Sequence, residues 1–166
     1  YQAAAEADAP VYIHLVQPAG EWGEEFNPPD KVEDFPTRLG TLEQVISDFP
    51  QLRFNVEHMA RPRIDDLLGI MARCPQVWTD VTKLLGDPQL PRYIHTAAEG
   101  DFLDRVFWGT DYVGLDAGEW AEWVREGVDF VREGLNRGLS RGGFRQLSAS
   151  RIDGLLGGNI RRFLGL

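Results

Sequence analysis

The sequence predicts an α/β fold built on a parallel sheet. Three observations predict it. Short, mostly apolar, β-branched runs of strand length recur along the chain. Apolar residues at helical spacing fill the intervals between them. The 166 residues are 43% apolar and 26% charged, enough for one substantial core and an ordinary solvated surface. Runs of this kind suit strands covered on both faces, and strand–helix alternation implies right-handed crossovers.

The elements follow in order. Residues 11–16, "VYIHLV", read as the first strand. A long acidic loop, residues 17–40, comes next, rich in Pro and Gly. Leu42, Val45, Ile46 and Phe49 then fall at i, i+3, i+4 and i+7 behind Thr41, with Thr41 and Gln44 spaced as a capping box. Residues 53–58, "RFNVEH", read as the second strand, and Ile64, Leu67, Leu68 and Met71 as the next helix. Cys74 stands before a proline, where packing at a helix end is its expected role. Residues 77–82 and 105–110 read as strands three and four. Trp120, Trp123, Val124, Val128, Val131 and Leu135 form a stripe expected to lie in the core. A last amphipathic helix carries Ile152, Leu155, Leu156, Ile160, Phe163 and Leu164. The chain reads as a single domain, residues 1–166.

Composition narrows the function. Net charge is −9, which argues against nucleic acid or an anionic membrane as partner. Charge is uneven: residues 131–166 hold seven Arg against two acids, read as a solvated basic helix face. A single cysteine excludes an internal disulfide and fits a cytoplasmic, reducing location. No window approaches the ~18 apolar residues of a membrane helix. The N-terminus has no basic region followed by an apolar core, so no signal peptide is expected. A nucleotide-binding doubly wound sheet is disfavoured, because no strand runs into a Gly-rich phosphate loop.

Polar residues concentrate at strand ends. His14 lies late in the first strand, His58 ends the second, and Asp111 follows the fourth in "RVFWGTDYVG". Strand alternation puts His14 on a face with Tyr12 and Val16, His58 with Val56 and Phe54, and Asp111 with Gly109 and Phe107. If those faces point inward, two imidazoles and a carboxylate meet at the carboxyl edge of the sheet, where α/β folds bind ligands. Such donors suit zinc or a similar divalent ion. Each residue also has an ordinary reading: the histidines as hydrogen-bonded core residues, Asp111 as the cap of a turn or of the next helix. Glu57 and Asp80 are expected to face away or to orient their neighbours, and His95 to be exposed. Arg61 and Arg63, after His58, are candidate cations for an anionic substrate, or plain surface charges. Trp22 and Phe26 either wall the pocket or stand at a loop tip.

In that order, "APVYIH", "FPQLRFNVEHMARP", "CPQVWTDVT", "DRVFWGTDYV" and "LLGGNIRRFLGL" resemble the carboxyl-terminal half of the amidohydrolase-related enzymes. These are metal-dependent (β/α)8 TIM barrels that include aminocarboxymuconate-semialdehyde decarboxylase and resorcylate-type decarboxylases. The resemblance implies the last four βα units of a barrel, a half-barrel. It implies His14 and Asp111 as metal ligands and His58 and Asp111 as proton-handling catalytic groups. It places Gly109 and Thr110 so as to aim Asp111, and makes Asn159 structural. The cofactor implied is one divalent ion, zinc by preference. The activity implied is hydrolysis or decarboxylation of a small carboxylated or hydroxylated ring or enol compound.

The family's first-strand His-x-His pair is missing, and a whole barrel takes ~250 residues. The expectation is therefore a fragment of a longer enzyme, whose remaining half lies in the same chain or in a second subunit, as in a homo-oligomer. A degenerate half-barrel that serves assembly without catalysis is the alternative.

Overall fold

The computed structural model describes residues 1–15, 35–61, 63–111 and 116–166, and of residues 35–38 the backbone alone. The long loop with Trp22 and Phe26 lies outside the described residues. Strand β1 is Val11–Ile13, β2 Phe54–Val56, β3 Val77–Asp80 and β4 Val106–Phe107, in the order β1-β2-β3-β4. The fold is thus the α/β, parallel-sheet architecture expected, with each strand shorter than its apolar run. Two compact units divide the chain, Tyr1–Thr79 and Asp80–Leu166.

In the first unit, β1 pairs parallel with β2 in the register Val11↔Phe54 to Ile13↔Val56. β2 pairs parallel with β3 from Phe54↔Val77 to Val56↔Thr79. Phe54, Asn55 and Val56 are all buried, as are the four residues of β3, so both faces of these strands are covered even where Asn55, Thr79 and Asp80 interrupt the apolar run. Helix α1 is Gln2–Glu6, ahead of β1. Helix α2 is Phe35–Asp48, and buries Leu42 and Ile46. It begins six residues before Thr41, so the Thr41–Gln44 pair is not a capping box; Gln44 instead bonds Asp48 one turn on, at 2.8 Å. Helix α3, Ile64–Arg73, buries Ile64, Leu67, Leu68, Ile70 and Met71 and ends at Cys74. Each such side chain contributes about 1.5–3 kcal/mol of burial, and that sum, not helix propensity, holds a ten-residue helix in place.

In the second unit, the Val81 N–H donates to Phe107 O at 2.9 Å, joining the end of β3 to β4. Helix α4, Leu90–Glu99, buries Leu90, Ile94 and Ala97. It contains His95, which is half-buried and stacks on Phe144 at 4.4 Å rather than standing exposed. Helix α5, Ala117–Asp129, continues through a π-helical turn, Phe130–Gly134, into α6, Leu135–Arg141. Helix α7, Ala149–Asp153, likewise runs through Gly154–Gly158 into α8, Asn159–Leu164. Val131, Leu135, Leu139, Ile152, Leu155 and Phe163 are the buried part of these helices.

The expected stripe is only half right. Trp120 is 49% and Trp123 46% exposed, so the apolar face of the α5 stripe enters the core only from Val131 onward. Gly127 shows why α5 approaches closely where it does: a Cβ there would lie 2.0 Å from the Trp108 ring. All seven arginines of residues 131–166 are exposed, as a solvated basic face requires. Asn159 is structural: from a buried position its Nδ2 donates to Leu103 O at 3.0 Å and Val106 O at 2.5 Å, fixing the entry to β4. No helix among the described residues is long and apolar enough to cross a membrane.

Candidate active site

The first unit brings His14 and His58 together. Because Ile13 and Val56 are in register, the residues that follow them leave β1 and β2 at the same edge of the sheet. The two imidazoles lie 5.5 Å apart between centroids at 82°, edge to face. Glu57 joins them: one ligand atom from each of His14, Glu57 and His58 falls within 4.8 Å of the others. His14 is exposed, Glu57 half-buried and His58 buried.

This cluster depends on an unusual exit from β2. The strand stops at Val56 and the chain turns through Glu57–Ala60, with His58, Met59 and Ala60 at φ 53°, 54° and 54°. Left-handed angles cost a side-chain-bearing residue roughly 1–2 kcal/mol each, so the surroundings must impose them. Three bonds do so. The Met59 N–H donates to Thr79 Oγ1 at 3.1 Å, the Thr79 hydroxyl donates to Val56 O at 2.6 Å, and the Arg61 N–H closes on His58 O at 3.0 Å. Met59 and Ala60 are fully buried, which anchors the turn from below.

Strand alternation fails at this exit, so of the two expectations for Glu57, facing away or orienting its neighbours, the first does not hold. Once β2 ends, neighbours in sequence need not point to opposite sides. The signal in the sequence is the adjacent Glu57-His58 pair at a strand end.

The donor set fits a divalent ion. Neutral imidazole and carboxylate are the ligands of zinc and of related metals, and ligands at ~2.1 Å in a tetrahedron are about 3.4 Å apart. The ligand atoms of His14, Glu57 and His58, within 4.8 Å of one another, are of the right kind and near that spacing.

The second unit carries Asp111. β4 ends at Phe107; the Trp108 N–H then donates to Leu155 O at 2.8 Å, and Gly109 passes so close to Thr82 that a Cβ would lie 3.2 Å from its hydroxyl. Asp111 follows at φ 48°. It does not cap the next helix: Asp116 caps α5, its Oδ1 accepting from the Gly118 N–H at 2.7 Å and the Glu119 N–H at 3.0 Å. Asp111 is instead paired with Lys83, Nζ to Oδ2 3.6 Å. Asp80, buried, accepts the Thr82 N–H at 3.1 Å and so ties down the turn leading to Lys83. Of the candidate cations, Arg63 pairs with Asp66 at the start of α3, and Arg61 is exposed.

Comparison with known proteins agrees with this fold. The profile described as amidohydrolase matches residues 1–166. No curated protein matches the chain. Among solved structures, an uncharacterised TIM-barrel protein of Bordetella bronchiseptica is similar at TM-score 0.64 and 21% identity, over 99% of this chain and 48% of its own. The 5-carboxyvanillate decarboxylase of Sphingomonas paucimobilis is similar at TM-score 0.54 and 13% identity, over 99% and 52%. A dihydroxybenzoic acid decarboxylase of Polaromonas, with bound manganese and 2-nitroresorcinol, is similar at 0.55 and 12%, again over 99% and 52%. The chain therefore has the fold of half a TIM barrel and spans about half the length of the structures it matches.

Proposed function

The chain belongs to the amidohydrolase family, and from that premise we propose that it supplies the carboxyl-terminal half of a metal-dependent hydrolase or decarboxylase. The substrate proposed is a small carboxylated or hydroxylated ring or enol compound, in keeping with the aromatic carboxylates named for two of the similar structures. The observation that carries the reading is the meeting of His14, Glu57 and His58 at the carboxyl edge of parallel strands.

In this reading His14 and Asp111 hold the ion, and Glu57 either joins them or orients an imidazole. Zinc is the ion proposed, from the imidazole and carboxylate donors. When bound, the ion supplies Lewis-acid polarisation of a carbonyl oxygen. His58 gives and takes the proton: its ring is buried, its backbone is clamped by the Thr79 and Arg61 bonds, and imidazole is the side chain suited to that work near neutral pH. Asp111 shares proton handling. Arg61, whose N–H bonds His58 O, attracts the substrate's anionic group, with Arg63 and Trp22 as further contacts.

The remaining barrel half, from the same longer chain or a second subunit, completes the first-strand ligands. The location proposed is cytoplasmic. The alternative reading is a non-catalytic half-barrel that acts by association.

Metal analysis of the purified full-length protein separates the two. The enzyme reading expects about one divalent ion per chain, lost in His14→Ala, and decarboxylation or hydrolysis of a panel of aromatic carboxylates and lactones that a chelator abolishes. A folded protein with neither metal nor turnover favours the association reading.

A further inference from the structure

The second unit carries two cavities between the segment that leaves α4 and the C-terminal helices. They lie toward the amino end of β4, into which the turn Leu103–Arg105 leads, whereas Asp111 follows its carboxyl end. The larger, about 320 Å³, is bordered by Asp101 and Asp104 from that segment and by Arg151, Asn159 and Arg162 from the helices. The smaller, about 230 Å³, is bordered by Glu99 and Asp101 and by Arg145, Gln146 and Arg151. Asp101 and Arg151 border both. Each cavity thus sets two carboxylates against two guanidinium groups.

These opposite charges do not close on one another. Among the described residues, ion pairs join Arg53 to Asp8, Arg63 to Asp66, Arg73 to Glu43, Lys83 to Asp111 and Arg137 to Glu133, and none of them crosses either cavity. Local bonds hold the groups in place instead. Arg162 Nη2 donates to Asp104 O at 3.1 Å and to buried Asn159 Oδ1 at 2.7 Å, which leaves the three N–H donors on Nε and Nη1. The Arg151 N–H donates to Ser148 Oγ at 3.4 Å, in the first turn of α7, and so fixes the backbone that carries its guanidinium. Asp101 stands at φ 57°, a left-handed angle strained for a residue with a Cβ, in a corner closed by the Phe102 N–H on Ala97 O at 3.0 Å. At the amino-terminal face of a barrel, side chains ordinarily serve stability. Charges held apart across a cavity add little to it, but they suit a guest that carries both signs.

The lining selects that guest. An anion alone gains the arginines and meets the repulsion of Asp101 and Asp104. A cation alone gains the carboxylates and is repelled by the arginines. A small zwitterion satisfies both, with its carboxylate on Arg151 and Arg162, where guanidinium can bond it in a bidentate fork, and its ammonium on Asp101 and Asp104. A side-chain amide reaching the smaller cavity would donate to Glu99 and accept from Arg145. We propose that the paired cavities around Arg151 and Asp101 bind an α-amino acid with a polar side chain. The volume of the larger is at the small end of the range for small-molecule sites. The inference does not rest on the metal reading.

Calorimetric titration of the full-length protein with L-glutamine tests it, and saturable binding is expected. N-acetyl-L-glutamine lacks the cation and L-glutaminamide the anion, and each is expected to bind at least fivefold more weakly. Arg151→Gln and Asp101→Asn are each expected to weaken L-glutamine at least fivefold, while Arg141→Gln, an exposed arginine that borders neither cavity, changes it by less than twofold. Asparagine accepts the left-handed angle at 101, so that variant should fold; Arg151→Met replaces Arg151→Gln if circular dichroism finds the latter unfolded. The proposal is overturned if the parent does not bind L-glutamine, or if either analogue binds within fivefold of it. It is also overturned if binding falls by less than fivefold in Arg151→Gln or Asp101→Asn, which would locate the site elsewhere, or if Arg141→Gln weakens it as much as Arg151→Gln does.

Discussion

The Thr79 hydroxyl accepts the Met59 N–H at 3.1 Å while donating to Val56 O at 2.6 Å, so one side chain on β3 bridges the exit of β2. This bond pair lies in the interior and brackets His58. Thr79→Val keeps the shape and removes both bonds, leaving the Met59 N–H without its partner. The expected cost is about 1–3 kcal/mol in urea denaturation, with a larger proportional loss of activity as His58 loses its fixed backbone. Thr79→Ser retains the hydroxyl and is expected to recover most of both.

The cluster of His14, Glu57 and His58 makes a ranked prediction for metal content. His14→Ala is expected to lose the ion outright. Glu57→Gln is expected to weaken it by roughly 10–100-fold, the range for a group that ligates weakly or orients a ligand. His58→Ala is expected to retain metal and lose turnover. Atomic absorption after dialysis measures all three, and loss of metal in His58→Ala would reassign that ring from proton carrier to ligand.

Asp111→Asn removes a charge without changing size. Turnover is expected to fall by about 10²–10⁴-fold, the contribution of a positioned acid–base group, with the circular dichroism spectrum unchanged. Asp111 is half-exposed and Asp116 caps α5, so the substitution should leave folding intact.

Asn159 predicts the opposite pattern. Its Nδ2 serves the carbonyls of Leu103 and Val106, and its Oδ1 takes Arg162 at 2.7 Å. Asn159→Ala strands buried acceptors and opens a small void, at an expected cost of about 2–4 kcal/mol. A lowered melting temperature with kcat little changed in the folded fraction is the result to look for.

Elements whose logic is local were legible in the sequence. Ile64, Leu67, Leu68 and Met71 repeat every turn and are all buried in α3; Val77 to Asp80 lies in a run read as a strand and is buried throughout. His14 and His58 were legible as neighbours because parallel strands in register deliver their successors to one edge. What the sequence hid depends on the third dimension. The left-handed turn at His58 breaks the alternation that assigned Glu57 to the far side. Trp120 and Trp123 share a helical stripe with Val131, yet nothing in their spacing says that the core begins only at the latter. Thr41 has the chemistry of a cap inside a helix that had already begun. Lys83 carries no pattern at all, and only its contacts with Asp111 and Trp123 distinguish it from other lysines.

The run His58–Met59–Ala60 has one more consequence. Glycine would make that corner without penalty, but it would also open many other conformations to the chain. Three successive Cβ atoms narrow those choices away from the left-handed region, so the corner that carries His58 is held by its buried surroundings and by the Thr79 and Arg61 bonds, and its backbone has little freedom left to lose when a ligand binds. The corner trades folding stability for preorganisation.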